Sequence, residues 1–85
     1  MREVCWKNLI DEAILENSDK FVCCTLTEEE SVKVFDNGFG CSEGVPFTAW
    51  GEKYVYFPIV YDGSEWVGSA PRFPCDEKCR HQGGE

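Results

Sequence analysis

One stretch limits the fold more than any other: Tyr54-Val-Tyr-Phe-Pro-Ile-Val-Tyr61, then Asp62-Gly63, then Ser64-Glu-Trp-Val-Gly-Ser-Ala70. Asp-Gly between two β-prone runs is a strong signal for a two-residue hairpin turn, because both turn residues must accept positive φ. That turn sets a register. Tyr61 pairs with Ser64, Ile59 with Trp66, Phe57 with Gly68 and Val55 with Ala70 on one face. Val60 pairs with Glu65, Pro58 with Val67, Tyr56 with Ser69 and Tyr54 with Pro71 on the other. The first face is almost wholly apolar and is expected to be the core face. A one-residue slip would scramble it. Pro58 falls in a non-hydrogen-bonded pair, so its missing N–H costs the hairpin nothing. The expected arrangement makes strand 54–61 an edge at Pro58 and strand 65–70 central, with Phe21–Thr25 on the far side of the latter.

Upstream of the hairpin, Trp6, Leu9, Ile10, Ala13 and Ile14 recur at helical spacing and predict an amphipathic helix over 3–17. Its outer side carries Glu3, Asp11, Glu12 and Glu16, and Asn17-Ser18-Asp19 ends it with poor helix formers. Phe21–Thr25 reads as a short strand. Thr27-Glu28-Glu29-Glu30 has the form of a capping box and opens a second helix over about 28–36, stopped by Asp36-Asn37-Gly38. Residues 38–50, with Gly38, Gly40, Gly44 and Pro46, read as a loop. The expected class is therefore α+β: a three-stranded antiparallel sheet with two helices in the order α-β-α-β-β. One domain spans 1–70, and 71–85 form an irregular tail.

Charge decides several function classes. Eighty-five residues carry 16 Asp plus Glu against 8 Lys plus Arg, a net charge of −8. Residues 1–70 hold 13 acids and 5 bases, while 71–85 hold 3 of each, so all the excess acid precedes Pro71. Phosphate neutralisation needs clustered Lys and Arg, which excludes direct nucleic-acid binding and disfavours an anionic membrane surface. An acidic surface either keeps a small domain soluble or meets a basic partner, such as a protein that itself binds nucleic acid. With 14% aromatic residues the chain is not a disordered acidic tail. No apolar run approaches a membrane span, and the first residues lack the apolar core of a signal peptide. The six cysteines are then expected to stay reduced in the cytoplasm.

Three groups bear on chemistry. Cys75-x3-Cys79-x-His81 offers thiolate and imidazole ligands for zinc, with Cys41, Cys23 or Cys24 as a fourth. The spacing is cramped for tetrahedral closure, and the alternative is a tail of free thiols. Cys23 and Cys24 are adjacent in a strand, so one faces the core and the other solvent. Cys41 lies in the Gly-rich loop as the candidate reactive thiol of a thiol-dependent enzyme, yet the only histidine is the distant His81. Gly38–Gly44 lacks the Lys-Ser/Thr ending of a phosphate loop, and Glu43 would repel phosphate. No catalytic set emerges, and the expectation is a non-enzymatic protein. The aromatic residues Trp50, Tyr54 and Tyr56 either lie under the 38–50 loop or stay open beside the acids. In the second case they form a protein-binding patch with Asp11, Glu12, Glu16, Glu28 and Glu29.

The stretch Phe47-Thr-Ala-Trp-Gly-Glu-Lys-Tyr-Val-Tyr-Phe-Pro, continued by Tyr61-Asp-Gly-Ser-Glu-Trp-Val-Gly-Ser-Ala-Pro-Arg72, resembles small acidic proteins of tailed bacteriophages and prophages. The likeness covers about a third of the chain and carries no catalytic motif. It implies an accessory protein that binds and modulates or inhibits a host protein in the host cytoplasm, in a narrower version by imitating DNA. Monomer and dimer both stay open: the edge near Pro58 could pair with a second copy, but proline also blunts edges. The alternative expectation is a small structural zinc protein built on Cys75, Cys79 and His81.

Overall fold

The hairpin forms in the expected register. All eight pairs from Tyr54↔Pro71 to Tyr61↔Ser64 are present. The computed structural model describes residues 3–36, 44–61, 64–79 and 81. Along these the order is β1 (Glu3–Val4), α1 (Trp6–Glu16), β2 (Phe21–Cys24), α2 (Glu28–Val32), β3 (Phe35–Asp36), β4 (Ala49–Gly51), β5 (Tyr54–Tyr61) and β6 (Ser64–Pro71). The class is α+β.

The sheet has four strands rather than three, in the order β2-β4-β5-β6, and every pair is antiparallel. The added strand is β4, cut from the end of the predicted loop. It joins β5 through Glu52-Lys53 and places Ala49 opposite Tyr56 and Trp50 opposite Val55. This overturns the expected strand order. Strand β2 pairs with β4, and β6 is an outer strand rather than a central one. Strand β5 is internal along its first half only: the β4 pairs reach Val55 and Tyr56, and beyond them Pro58 sits where no β4 partner stands.

Both helices are shorter than their periodicity suggests. Glu3 and Val4 pair with Asp36 and Phe35, which holds them extended, so α1 begins only after Cys5 (φ −133°, ψ 154°). Helix α2 opens on the expected capping box. The Glu30 amide donates to Thr27 Oγ1 at 3.1 Å, and the Thr27 amide donates to Glu30 Oε1 at 2.9 Å. It ends at Val32, because Phe35 is drawn into β3 and buried.

At its other end α1 closes in a Schellman motif. The Ser18 amide donates to the Leu15 carbonyl at 3.1 Å and the Asp19 amide to the Ile14 carbonyl at 3.0 Å. Ser18 takes the left-handed conformation, φ 51°, where glycine is the usual choice.

The core lies between α1 and one face of the sheet. Trp6, Ile10 and Ile14 of α1 pack with Phe35, Phe47, Ala49 and Tyr56, and Val67, Tyr54 and Cys24 lie against them. Trp6 is the centre: its ring meets Phe35 at 4.9 Å and Phe47 at 4.8 Å, and its Nε1–H donates to the Val45 carbonyl at 3.0 Å. Gly44 presses so close to that ring that a Cβ there would stand 2.5 Å from Trp6 Cζ2.

The expected core face of the hairpin is therefore the wrong one. Helix α1 covers the face of Tyr54, Tyr56, Val67 and Ser69. The face of Val55, Phe57, Trp66 and Ala70 points the other way and is half-buried, with Ile59 and Gly68 buried among its described residues. The reason is chemical. Tyr56 can be buried completely because its hydroxyl finds partners beneath the helix, which apolar counting does not register.

Candidate functional site

Asp19, just beyond α1, fixes how the helix meets the sheet. Its Oδ1 accepts from the Lys20 amide at 2.8 Å and the Lys53 amide at 2.9 Å. Its Oδ2 accepts from the Tyr54 amide at 3.1 Å and the Tyr56 hydroxyl at 2.8 Å. One carboxylate thus ties the end of α1 to the β4–β5 turn and to the core tyrosine. Gly51 lies directly against it, and a Cβ there would collide with the carboxylate. Burial alone pushes the Asp19 carboxyl up, but the four hydrogen bonds outweigh it and the group titrates below its ordinary 3.8. Burial likewise pushes the Tyr56 phenol up to about 12, against the Asn17 amide and helped by the bond to Asp19.

Helix α1 runs alongside β6. At its C-terminal end the Asn17 amide group donates to Ser69 Oγ at 3.2 Å. At its N-terminal end Trp6 holds Val45, and the neighbouring Gly44 amide donates to the buried Glu65 carboxylate at 3.1 and 3.2 Å. Leu9 and Ala13 of the helix face inward over β6, while Glu12 and Glu16 stand exposed beside them. A groove of about 170 Å³ follows, lined by Leu9, Glu12, Ala13, Glu16, Trp66 and Val67.

The expected partner-contacting residues fall into separate groups. Asp11, Glu12, Glu16, Glu28 and Glu29 are all exposed on the two helices, which pack side by side. Among the described residues the one salt bridge is Lys7 to Asp11 at 3.5 Å, itself on the surface. Trp50 is half-buried on the sheet face away from α1. Tyr56 does not belong with them: it is 0% exposed, and its hydroxyl is committed to Asp19. Tyr54 is half-buried on the helix side and donates its hydroxyl to Glu77 at 2.8 Å, so the tail already engages it. That bond, first among its causes, raises the Tyr54 phenol.

Cys24 packs against the core and Cys23 is exposed, the alternation expected of a strand. Cys75, Cys79 and His81 are exposed. Among the described residues no group of three His, Cys, Asp or Glu side chains is placed to hold a metal ion, and the five described cysteines are unbonded. Cys41 lies outside the described residues. Among the described residues, no helix is long and apolar enough to cross a membrane.

Two positions escaped sequence reading. Asp19 looked like a helix stop, and its four partners lie up to 37 residues away. Glu65 falls on the hairpin face not expected to form the core, yet it is 4% exposed. The β6 edge was hidden by the missing strand β4. No family model matches the chain, and no curated protein or solved structure matches it either.

Proposed function

We propose that this chain is a non-enzymatic protein-binding module whose helical layer meets a basic partner. The observation that carries the reading is the state of its acids. Five exposed carboxylates, Asp11, Glu12, Glu16, Glu28 and Glu29, share the layer of α1 and α2, and Lys7 is their one ion-pair partner among the described residues. Uncompensated charge of one sign steers an oppositely charged partner and selects against like-charged ones. The resemblance of residues 47–72 to small phage and prophage proteins supports the narrower version, an accessory protein acting on a host protein in the host cytoplasm. Trp50 lies on the sheet face away from α1 and so stands outside this contact.

The test is affinity capture from a bacterial lysate at low salt, with the wild-type chain and with a variant carrying Glu12→Gln, Glu16→Gln, Glu28→Gln and Glu29→Gln. The expected result is a stoichiometric basic protein on the wild-type chain, released by salt and depleted on the variant. Recovery of no stoichiometric partner, or of the same protein on both, overturns the reading.

A further inference from the structure

We infer that the groove between α1 and the β6 edge takes an extended, lysine- or arginine-bearing segment of the basic partner, which adds to the sheet as a fifth strand. The inference rests on the preceding reading and names where and how the partner binds.

The backbone supplies the first half of the argument. Antiparallel pairs alternate between hydrogen-bonded and non-hydrogen-bonded. The phase is fixed by the Arg72 amide, which donates to the Lys53 carbonyl at 2.8 Å, one pair beyond Tyr54↔Pro71. Counting from there, Ala70, Gly68, Trp66 and Ser64 turn their N–H and C=O groups toward β5. Val67 and Ser69 turn theirs outward. The Tyr54 amide confirms the phase, since it points away from β6 to Asp19. Strand β6 is an outer strand of the sheet, and Val67 and Ser69 have no backbone partner on their outer side among the described residues. An edge of this kind is a template for another strand.

The helix supplies the second half. A strand added beside β6 lies under the Leu9, Glu12, Ala13 and Glu16 side of α1. Alternate side chains of that strand point up into the groove. Lysine or arginine suits it: the aliphatic stem crosses Leu9 and Ala13, and the charged head reaches Glu12 or Glu16 at the rim. The same two glutamates argue against a second copy of this chain. Two-fold pairing of β6 with β6 would bring Glu12 and Glu16 of both copies to one seam without counter-charge.

The test uses the isotopically labelled full chain and a blocked eight-residue peptide alternating lysine and valine, with a serine-for-lysine peptide as control. Amide exchange and chemical shifts are followed residue by residue. The expected result is that exchange at Val67 and Ser69 slows about tenfold or more on saturation, while Trp66 and Gly68 stay as they were. The pair Glu12→Gln and Glu16→Gln weakens binding roughly threefold to tenfold, as two exposed charge pairs allow. Binding that moves only α1 and α2 resonances overturns strand addition and leaves the basic-partner reading standing. Equal binding of the serine peptide overturns the charge requirement. Protection of Val67 and Ser69 that rises with protein concentration alone assigns the edge to a second copy and overturns the inference. Failure of the lysine peptide to bind, when lysate capture succeeds, overturns it as well.

Discussion

Replacing Asp19 by asparagine isolates the contact that joins the helix to the sheet. The carboxylate accepts four hydrogen bonds, two on each oxygen. Asparagine keeps one carbonyl oxygen for the Lys20 and Lys53 amides and turns an NH2 group toward the Tyr54 amide and the Tyr56 hydroxyl. Two bonds to a charged acceptor are lost, each worth about 1.5–3 kcal/mol. The carboxylate is half-open to water, which brings the expected cost of Asp19→Asn to about 2–3 kcal/mol. For a domain of this size that lowers Tm by about 10–20 °C. The pH dependence carries the sign. The folded pKa lies below the ordinary 3.8, so the stabilisation is complete above that value and is lost as pH falls through the folded pKa. Urea unfolding of both proteins near pH 7 and again at about pH 3 is the assay. The gap between them should narrow at the lower pH, with similar m-values. A cost under about 0.5 kcal/mol near neutral pH, at the level of ordinary surface substitutions, or a gap independent of pH, would refute the reasoning.

Three further outcomes follow from the same contacts. Ser18→Gly removes the strain of a left-handed non-glycine residue and should stabilise the chain by about 0.5–1 kcal/mol, read as a rise in the urea midpoint. Gly44→Ala drives a Cβ into the Trp6 ring and should cost about 1–3 kcal/mol, with a shift in tryptophan emission that a remote defect would not cause. Raising the pH from about 10 to 12 should erode stability, because the Tyr56 phenol is pushed up to about 12 and folding favours its neutral form; Tyr56→Phe should remove that part of the alkaline dependence.

The hairpin was legible because its information is local: a two-residue turn and a period of two settle eight pairs at once. The capping box at Thr27 and the apolar stripe of α1 were legible for the same reason. What escaped depends on partners distant in sequence. Three residues of β4 carry too little pattern to announce a strand, yet they move β6 from the centre of the sheet to its rim. The ends of α1 and α2 are trimmed by pairing between Glu3–Val4 and Phe35–Asp36, a contact no helical propensity encodes. The core face differs from the expected one because the hairpin's more apolar side is not the one the helix covers. Trp6, Phe35 and Phe47 arrive from outside the hairpin and select the side where Tyr56 has Asp19 to bond. Of the expected contact residues, the helical acids follow from periodicity and are exposed, whereas Tyr56 needed knowledge of Asp19.

The central claim is that β6 is an open edge flanked by acid, poised to receive a strand. Residue-resolved hydrogen exchange of the free chain tests it most directly. Alternation along β6 is expected, with Val67 and Ser69 amides exchanging at least about tenfold faster than Trp66 and Gly68. Equal, strong protection at all four residues would mean that the edge is already paired, and would contradict it.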